Sequence, residues 1–231
     1  MTQPEVAAEA QHFPRRERAV DRGLHAARSR VEQRVQEFLD AGFRLIDERG
    51  SVDFTLQELL DLTSQSLRGF YQCFASKDEL LLALFEDSVR EQVDDLQQHV
   101  DREAEPLARL RAFTIRLFEW CEPAAPGQKP GSHDHRPVAD FAIQLGLVHP
   151  EPVEAAMRPV FDLLVELVAD ADAARAIDVD DVTRAATLVQ RSVIYHWLAD
   201  RMVHDPRRSI TAEDTWEFCL RGLAAGPSDG G

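Results

Sequence analysis

Two helix-start signatures close together, Thr55-x-x-Glu58 and Ser76-x-x-Glu79, constrain this chain more than any other feature of it. In the S/T-x-x-E spacing a hydroxyl and a carboxylate each satisfy a backbone N–H that the first helical turn leaves unpaired. One helix therefore starts at Thr55. Another starts at Ser76 and runs directly into Leu80, Leu81 and Leu82. Between them, Thr63-Ser64-Gln65-Ser66 supplies side chains that compete with helical hydrogen bonding and favour turns and caps. What remains, Ser66 to Phe74, is a helix of roughly two turns. A helix that short is stable only when packed on something else.

Its support lies upstream. Val31, Val35, Phe38, Leu39, Gly42, Leu45 and Ile46 recur at three- and four-residue intervals, with Arg30, Glu32, Arg34, Glu37 and Arg44 largely on the other side. This is an amphipathic helix that stops near Arg49-Gly50, Gly being the usual residue past a helix end. Leu56, Leu59, Leu60, Phe70 and Phe74 are the complementary apolar set. After Asp78 the pattern stays helical: Asp78 to Glu103, Pro106 to Cys121, Val138 to Leu147, Pro152 to Ala176 with an expected kink or split at Pro159, Asp180 to His204, and a last helix capped by Thr211 and Asp214. Glu122 to Pro137 holds four prolines and two glycines and reads as a loop. No stretch alternates with the period of a strand, so the expected fold is all-α.

The charge is unevenly spread. The net charge is −15, yet residues 1–77 carry 11 basic against 12 acidic side chains, so the acidity belongs to the later part. From Arg15 to Arg34 there are seven arginines and three acids. An acidic body repels nucleic acid, while a basic local surface still makes phosphate contacts; the same run also reads as a solvated arm or helix face. Residues 1–27, mixing Pro, Gly, Ala and charge, are expected to be a flexible basic arm. The longest apolar run is only Leu80 to Phe85, so neither a signal peptide nor a membrane span is read. Three cysteines without a C-x-x-C, Cys73, Cys121 and Cys219, fit reduced thiols and a cytoplasmic location.

A three-helix unit whose short third helix follows a polar turn is the layout of a helix-turn-helix DNA reader, in which that helix enters the major groove. Thr55 to Leu81, T-L-Q-E-L-L-D-L-T-S-Q-S-L-R-G-F-Y-Q-C-F-A-S-K-D-E-L-L, resembles the signature of TetR-family transcriptional repressors. The match is position by position in Phe70-Tyr71-x-x-Phe74-x-Ser76-Lys77-x-x-Leu80-Leu81. The turn departs from the family, with Thr63-Ser64-Gln65-Ser66 where Ala-Gly-Val-Ser is usual and Leu60 where Ala is usual.

The resemblance implies an N-terminal helix-turn-helix domain (28–76), a helical effector-binding and dimerisation domain (77–225) and a disordered tail (226–231). It implies phosphate contacts by Thr55, Tyr71 and Lys77. The residues of the short helix add Ser66, Leu67, Arg68 and Gln72 facing bases, with Gly69 admitting close backbone approach. The family acts as a homodimer on a palindromic DNA operator. Ala185, Val189, Val193, Trp197, Trp216, Leu220 and Leu223 are the expected interface, a pattern that equally describes burial within one chain. A small, apolar effector would be lined by Phe113, Leu117, Trp120, Phe141, Leu145, Met157, Phe161 and Leu164, a set that also reads as plain core. No catalytic group, metal or cofactor is expected.

Alternatives remain open on the sequence. One is a helical ligand-binding or scaffold protein whose DNA domain has degenerated. Another is an HD-type metal-dependent phosphohydrolase built on His133-Asp134-His135, although a Pro/Gly loop is a poor place to hold a metal ligand set. Cys73 reads either as a redox switch or as inert packing.

Overall fold

The computed structural model describes residues 14–49, 51–121, 138–202 and 210–224, and among them every regular element is helical. In chain order these are α1 (Pro14–Arg49), α2 (Leu56–Leu62), α3 (Leu67–Tyr71), α4 (Lys77–Val100), α5 (Pro106–Cys121), α6 (Val138–Val148), α7 (Pro150–Ala173), α8 (Val182–Met202) and α9 (Ala212–Ala224). The all-α expectation holds over the described residues. None of these helices is long and apolar enough to cross a membrane.

The helix starts form where the capping signatures place them, with one difference of partner at Ser76. Thr55 is the N-cap of α2 in a complete capping box with Glu58. Ser76 caps α4 by accepting from the Glu79 N–H at 3.1 Å, while the Glu79 carboxylate accepts from Ala75 N–H. Thr211 and Asp214 make the same reciprocal pair before α9, at 3.1 and 2.9 Å. Three other expectations are corrected. Residues 14–27 are helical rather than a flexible arm: Pro14 is α1's first residue, and Arg28 joins Glu32 four residues on at 2.8 Å. α7 runs unbroken through Pro159, because Val160, Leu163 and Leu164 beside it are buried and hold the helix in place of the missing hydrogen bond. α7 also ends earlier than read, where Arg175 takes a left-handed φ of 59° and turns the chain.

One apolar core runs through the molecule. At its N-terminal end Phe38 of α1 meets Phe70 edge-on at 5.3 Å and Phe74 at 6.1 Å between ring centroids, and Leu59 and Phe54 close the cluster. α4 carries the core onward. Its inward stripe (Leu80, Leu81, Leu84, Phe85, Val89, Leu96, Val100) packs first on α1, then on α5, α6 and α7. At Gly42 α1 packs tightly on α4: a Cβ there would lie 2.8 Å from Leu84 Cδ1. Any movement of α4 is thus felt by α1.

A polar clamp sits on the α4–α5 contact. Asp95 takes two hydrogen bonds from Arg116, at 2.6 and 3.1 Å, and a third from Trp120 Nε1 at 2.8 Å. Burial pushes the Asp95 carboxyl up, but the hydrogen bonds and charge of Arg116 outweigh it and leave the group below its ordinary range.

Candidate nucleic-acid interface

α3 is five residues long and is fixed from three sides. Ser66 accepts from Gly69 N–H at 3.1 Å as N-cap. Phe70 drives into the α1 cluster. Gln65, in the unusual turn, donates to Glu37 of α1 at 2.8 Å, and Arg34 of α1 donates to Gln72 Oε1 at 3.0 Å. Periodicity did not reveal Arg34, Glu37 or Gln65 as partners of the short helix. These bonds join positions 38 and 28 residues apart, so no local spacing betrays them.

The structure leaves Ser66, Leu67, Arg68, Tyr71 and Gln72 together on the exposed side of this unit, with Leu67 50% and Tyr71 57% accessible. Arg68 has no ion-pair partner among the described residues. Three other expected contacts have partners within the chain. Gly69, expected to admit close backbone approach, is buried with the Gln65 side chain over it; a Cβ there would meet Gln65 Oε1 at 3.3 Å. Lys77 is half-buried, donating to the carbonyls of Val52, at 3.1 Å, and Phe54, with its ammonium 4.5 Å from the Phe54 ring centre. Two of its three protons are thereby spent on holding the α1–α2 connection against α4. Thr55 gives its hydroxyl proton to Glu58 at 2.8 Å. Cys73 is half-buried beside the same cluster.

Glu58 concentrates the electrostatics of this unit. Arg49 hydrogen-bonds it, Thr55 adds a backbone and a hydroxyl bond, and together they hold its carboxyl down at about 2 against an ordinary 4.5. A carboxyl depressed in the fold stabilises it fully above its ordinary value and loses that contribution as pH falls towards 2. Across pH 5 to 2, thermal unfolding of wild-type protein should therefore weaken more steeply than that of Glu58→Gln. Parallel curves would remove Glu58 as a contributor.

Further along the chain, Phe113, Leu117, Trp120, Leu145 and Leu164 are buried in the common core, and Met157 and Phe161 are half-buried against it. The Phe141 side chain lies outside the described residues. Gln92 of α4 is buried in the same body, and its Oε1 has no hydrogen-bond partner. A cavity of about 660 Å³ lies elsewhere, between α8 and α9, lined by Asp181, Arg184, Leu188, Ser192, Phe218 and Arg221 among others.

The residues expected to pair two chains face inward. Ala185, Val189, Val193, Trp216 and Leu223 are buried within the monomer and Leu220 is half-buried; the Trp197 side chain lies outside the described residues. Among the described residues, the large exposed apolar side chains of α8 and α9 are instead Leu188 (61%), Tyr195 (62%) and Phe218 (72%). Period alone identifies an apolar stripe but not which stripe the body of the chain covers. His133, Asp134 and His135 lie outside the described residues, and no group of metal-ligating side chains occurs among those described.

No family model matches the chain. Over 85 residues it is 33% identical to the HTH-type transcriptional regulator BetI of Brucella anthropi, a match covering 37% of this chain and 44% of that one. The matched stretch spans less than half the length of that curated relative. A TetR-family transcriptional regulator from Cytophaga hutchinsonii superposes with a TM-score of 0.63 over 84% of this chain and 96% of that one, at 15% identity. The chain has the TetR-family fold. Another chain of TetR-type architecture, AibR in complex with isovaleryl coenzyme A and operator DNA, matches with a TM-score of 0.55 and 20% identity over 83% of this chain and 98% of its own length. In these TetR-type terms α1–α3 are the end that presents a short exposed helix, and α4–α9 are the body behind it.

Proposed function

We propose that this TetR-type chain is a ligand-responsive transcriptional regulator, a repressor that binds a palindromic operator as a homodimer and leaves it when a small effector binds. The observation that carries the reading is the exposed face of α3. Five polar or contact-making side chains stand together on a helix held by an N-cap, an aromatic cluster and two side-chain bonds to α1. An unpaired arginine on such a face suits guanine, and an exposed tyrosine beside it suits phosphate. The likeness to BetI and to AibR, whose structure holds operator DNA, supports the same reading. The division of labour is a DNA-reading unit over 28–76 and an effector-binding and dimerising body over 77–225, without a catalytic site and acting in the cytoplasm.

The effector is an apolar molecule that carries at least one hydrogen-bond donor. The body offers Phe113, Leu117, Trp120, Phe141, Leu145, Met157, Phe161 and Leu164 for its apolar part. The buried acceptor Gln92 Oε1, on the helix that touches α1 at Gly42, suits its donor. AibR, bound to an acyl thioester in its crystal, is consistent with this chemistry. The effector acts by preferring one of two arrangements of α4. The second copy docks on Leu188, Tyr195 and Phe218 of α8 and α9, a face whose apolar residues have no cover within the chain.

Selection of genomic fragments by the purified protein tests the reading, and failure to retain any fragment at low salt would sink it. On a retained fragment, Arg68→Ala should weaken binding by about 1–3 kcal/mol and relax preference at one base pair per half-site. Tyr71→Phe should weaken all sequences alike. Equal effects on matched and mismatched sites for both variants would remove Arg68 as a base reader.

A further inference from the structure

We propose that the N-terminal extension of α1 lies along the DNA backbone outside the base pairs that α3 reads, and that its arginine face binds flanking phosphates. This rests on the DNA-reading assignment above and adds a second, sequence-independent contact to it.

Four observations carry it. First, α1 continues far past the three-helix unit, and every residue from 20 to 33 is exposed, so the segment packs on nothing in its own chain. From Arg34 back to Pro14 it extends about 30 Å at 1.5 Å per residue, the length of about nine base pairs at 3.4 Å each.

Second, its charge is segregated. At 100° per residue, positions 15, 16, 18, 22, 30 and 34, all arginine, fall within an arc of about 160°. Glu17, Asp21 and Glu32 fall within an opposite arc of about 60°, joined there by Arg28, which pairs with Glu32. Val20, Leu24 and Val31 lie between the two. A solvated helix gains nothing from sorting its charges; a helix facing a polyanion does.

Third, the arginine arc points the right way. Arg34 lies on that arc and donates to Gln72 at the end of α3, so the extension leaves from the rim of the reading face. Fourth, the segment Arg15 to Arg34 is +4 in a chain of −15, so the remaining residues sum to −19. A body that acidic repels DNA, and only a concentrated cationic surface holds the duplex against it.

The test compares wild type with Arg16→Gln/Arg22→Gln/Arg30→Gln on a retained genomic DNA duplex, long and trimmed to the core site, across a salt series. The substituted side chains at 22 and 30 are exposed, and circular dichroism checks that the fold survives. Wild type should bind the long duplex at least about tenfold more tightly than the trimmed one, and the variant should not distinguish them. The variant's salt slope should fall by nearly 0.9 per arginine, about three per protomer and about five for a dimer with both extensions on the duplex, with base preference unchanged. Identical slopes and identical dependence on flanking DNA in the two proteins would overturn the proposal while leaving the α3 assignment standing. A change in self-association with no change in salt slope would show that a second chain, seated on Val20, Leu24 and Val31, is the occupant, and would also overturn it. Failure of wild type to bind any duplex removes the α3 assignment, and this inference with it.

Discussion

Phe70→Ala should unfold the α2–α3 end of the chain while leaving the helical body folded. Phe70 is wholly buried, meets Phe38 edge-on at 5.3 Å, lies 5.6 Å from Phe74 and touches Tyr71. Truncating a buried Phe typically costs about 3–5 kcal/mol through lost burial and the cavity left behind, and each lost edge-on pair adds about 0.5–1.5 kcal/mol. α2 and α3 have seven and five residues and no stability of their own, so a loss of that size removes most of the apolar packing that holds them. α5, α7 and α8 pack on each other and do not depend on Phe70. Amide hydrogen exchange should show protection lost across α2, α3 and the adjoining turns of α1, and retained in α5, α7 and α8. A uniform fall across the chain would mean that the core unfolds as one unit and that the reader has no separate stability.

Phe218→Asp should convert the proposed dimer to monomer without unfolding it. Phe218 is 72% exposed on α9, and Leu188 and Tyr195 are exposed to nearly the same degree on α8, so the charge enters no existing core. In a two-fold interface each substitution acts twice. A central aromatic anchor is worth about 2–4 kcal/mol when truncated, so two copies raise the dissociation constant by about a thousandfold or more. Sedimentation should report the monomer, with an unchanged thermal midpoint extrapolated to low concentration. Affinity for a palindromic fragment should fall with it, because one reader then contacts one half-site. An unaltered dimer would place the second copy on another face, such as the exposed Ile143, Leu147 and Val148 of α6.

The helix-turn-helix unit was legible because its signals are local. Thr55 and Glu58, and Thr211 and Asp214, stand three residues apart and make both bonds that their spacing announces, while Ser76 caps Glu79 N–H and the Glu79 carboxylate turns to Ala75 N–H instead. The bends at Thr63 and Ser64 and the burial of Phe70 and Phe74 follow from side-chain chemistry within a few residues. What the sequence did not show lies where distant residues decide. Gln65 reaches across Gly69 to Glu37, and Lys77, read as a phosphate contact, also donates to the carbonyls of Val52 and Phe54. The α8 stripe of Ala185, Val189 and Val193 has the period of any packed face, and only the position of α5, α7 and α9 shows that it is covered.

Local signals along the chain already specify that it is all-helical, where most of its helices begin and end, and that a short helix between two caps is mounted on an apolar face of the first long one. Those properties depend on hydrogen bonds and side-chain period within a turn or two of the chain. Which side of each helix is left over came from packing between distant elements: Arg34 and Gln65 lock α3 from the side of α1, Arg34 places the extension of α1 beside the exposed face of α3, and Leu188, Tyr195 and Phe218 remain uncovered. An exposed face is what remains after every other element has packed, and that depends on contacts between residues far apart in the chain.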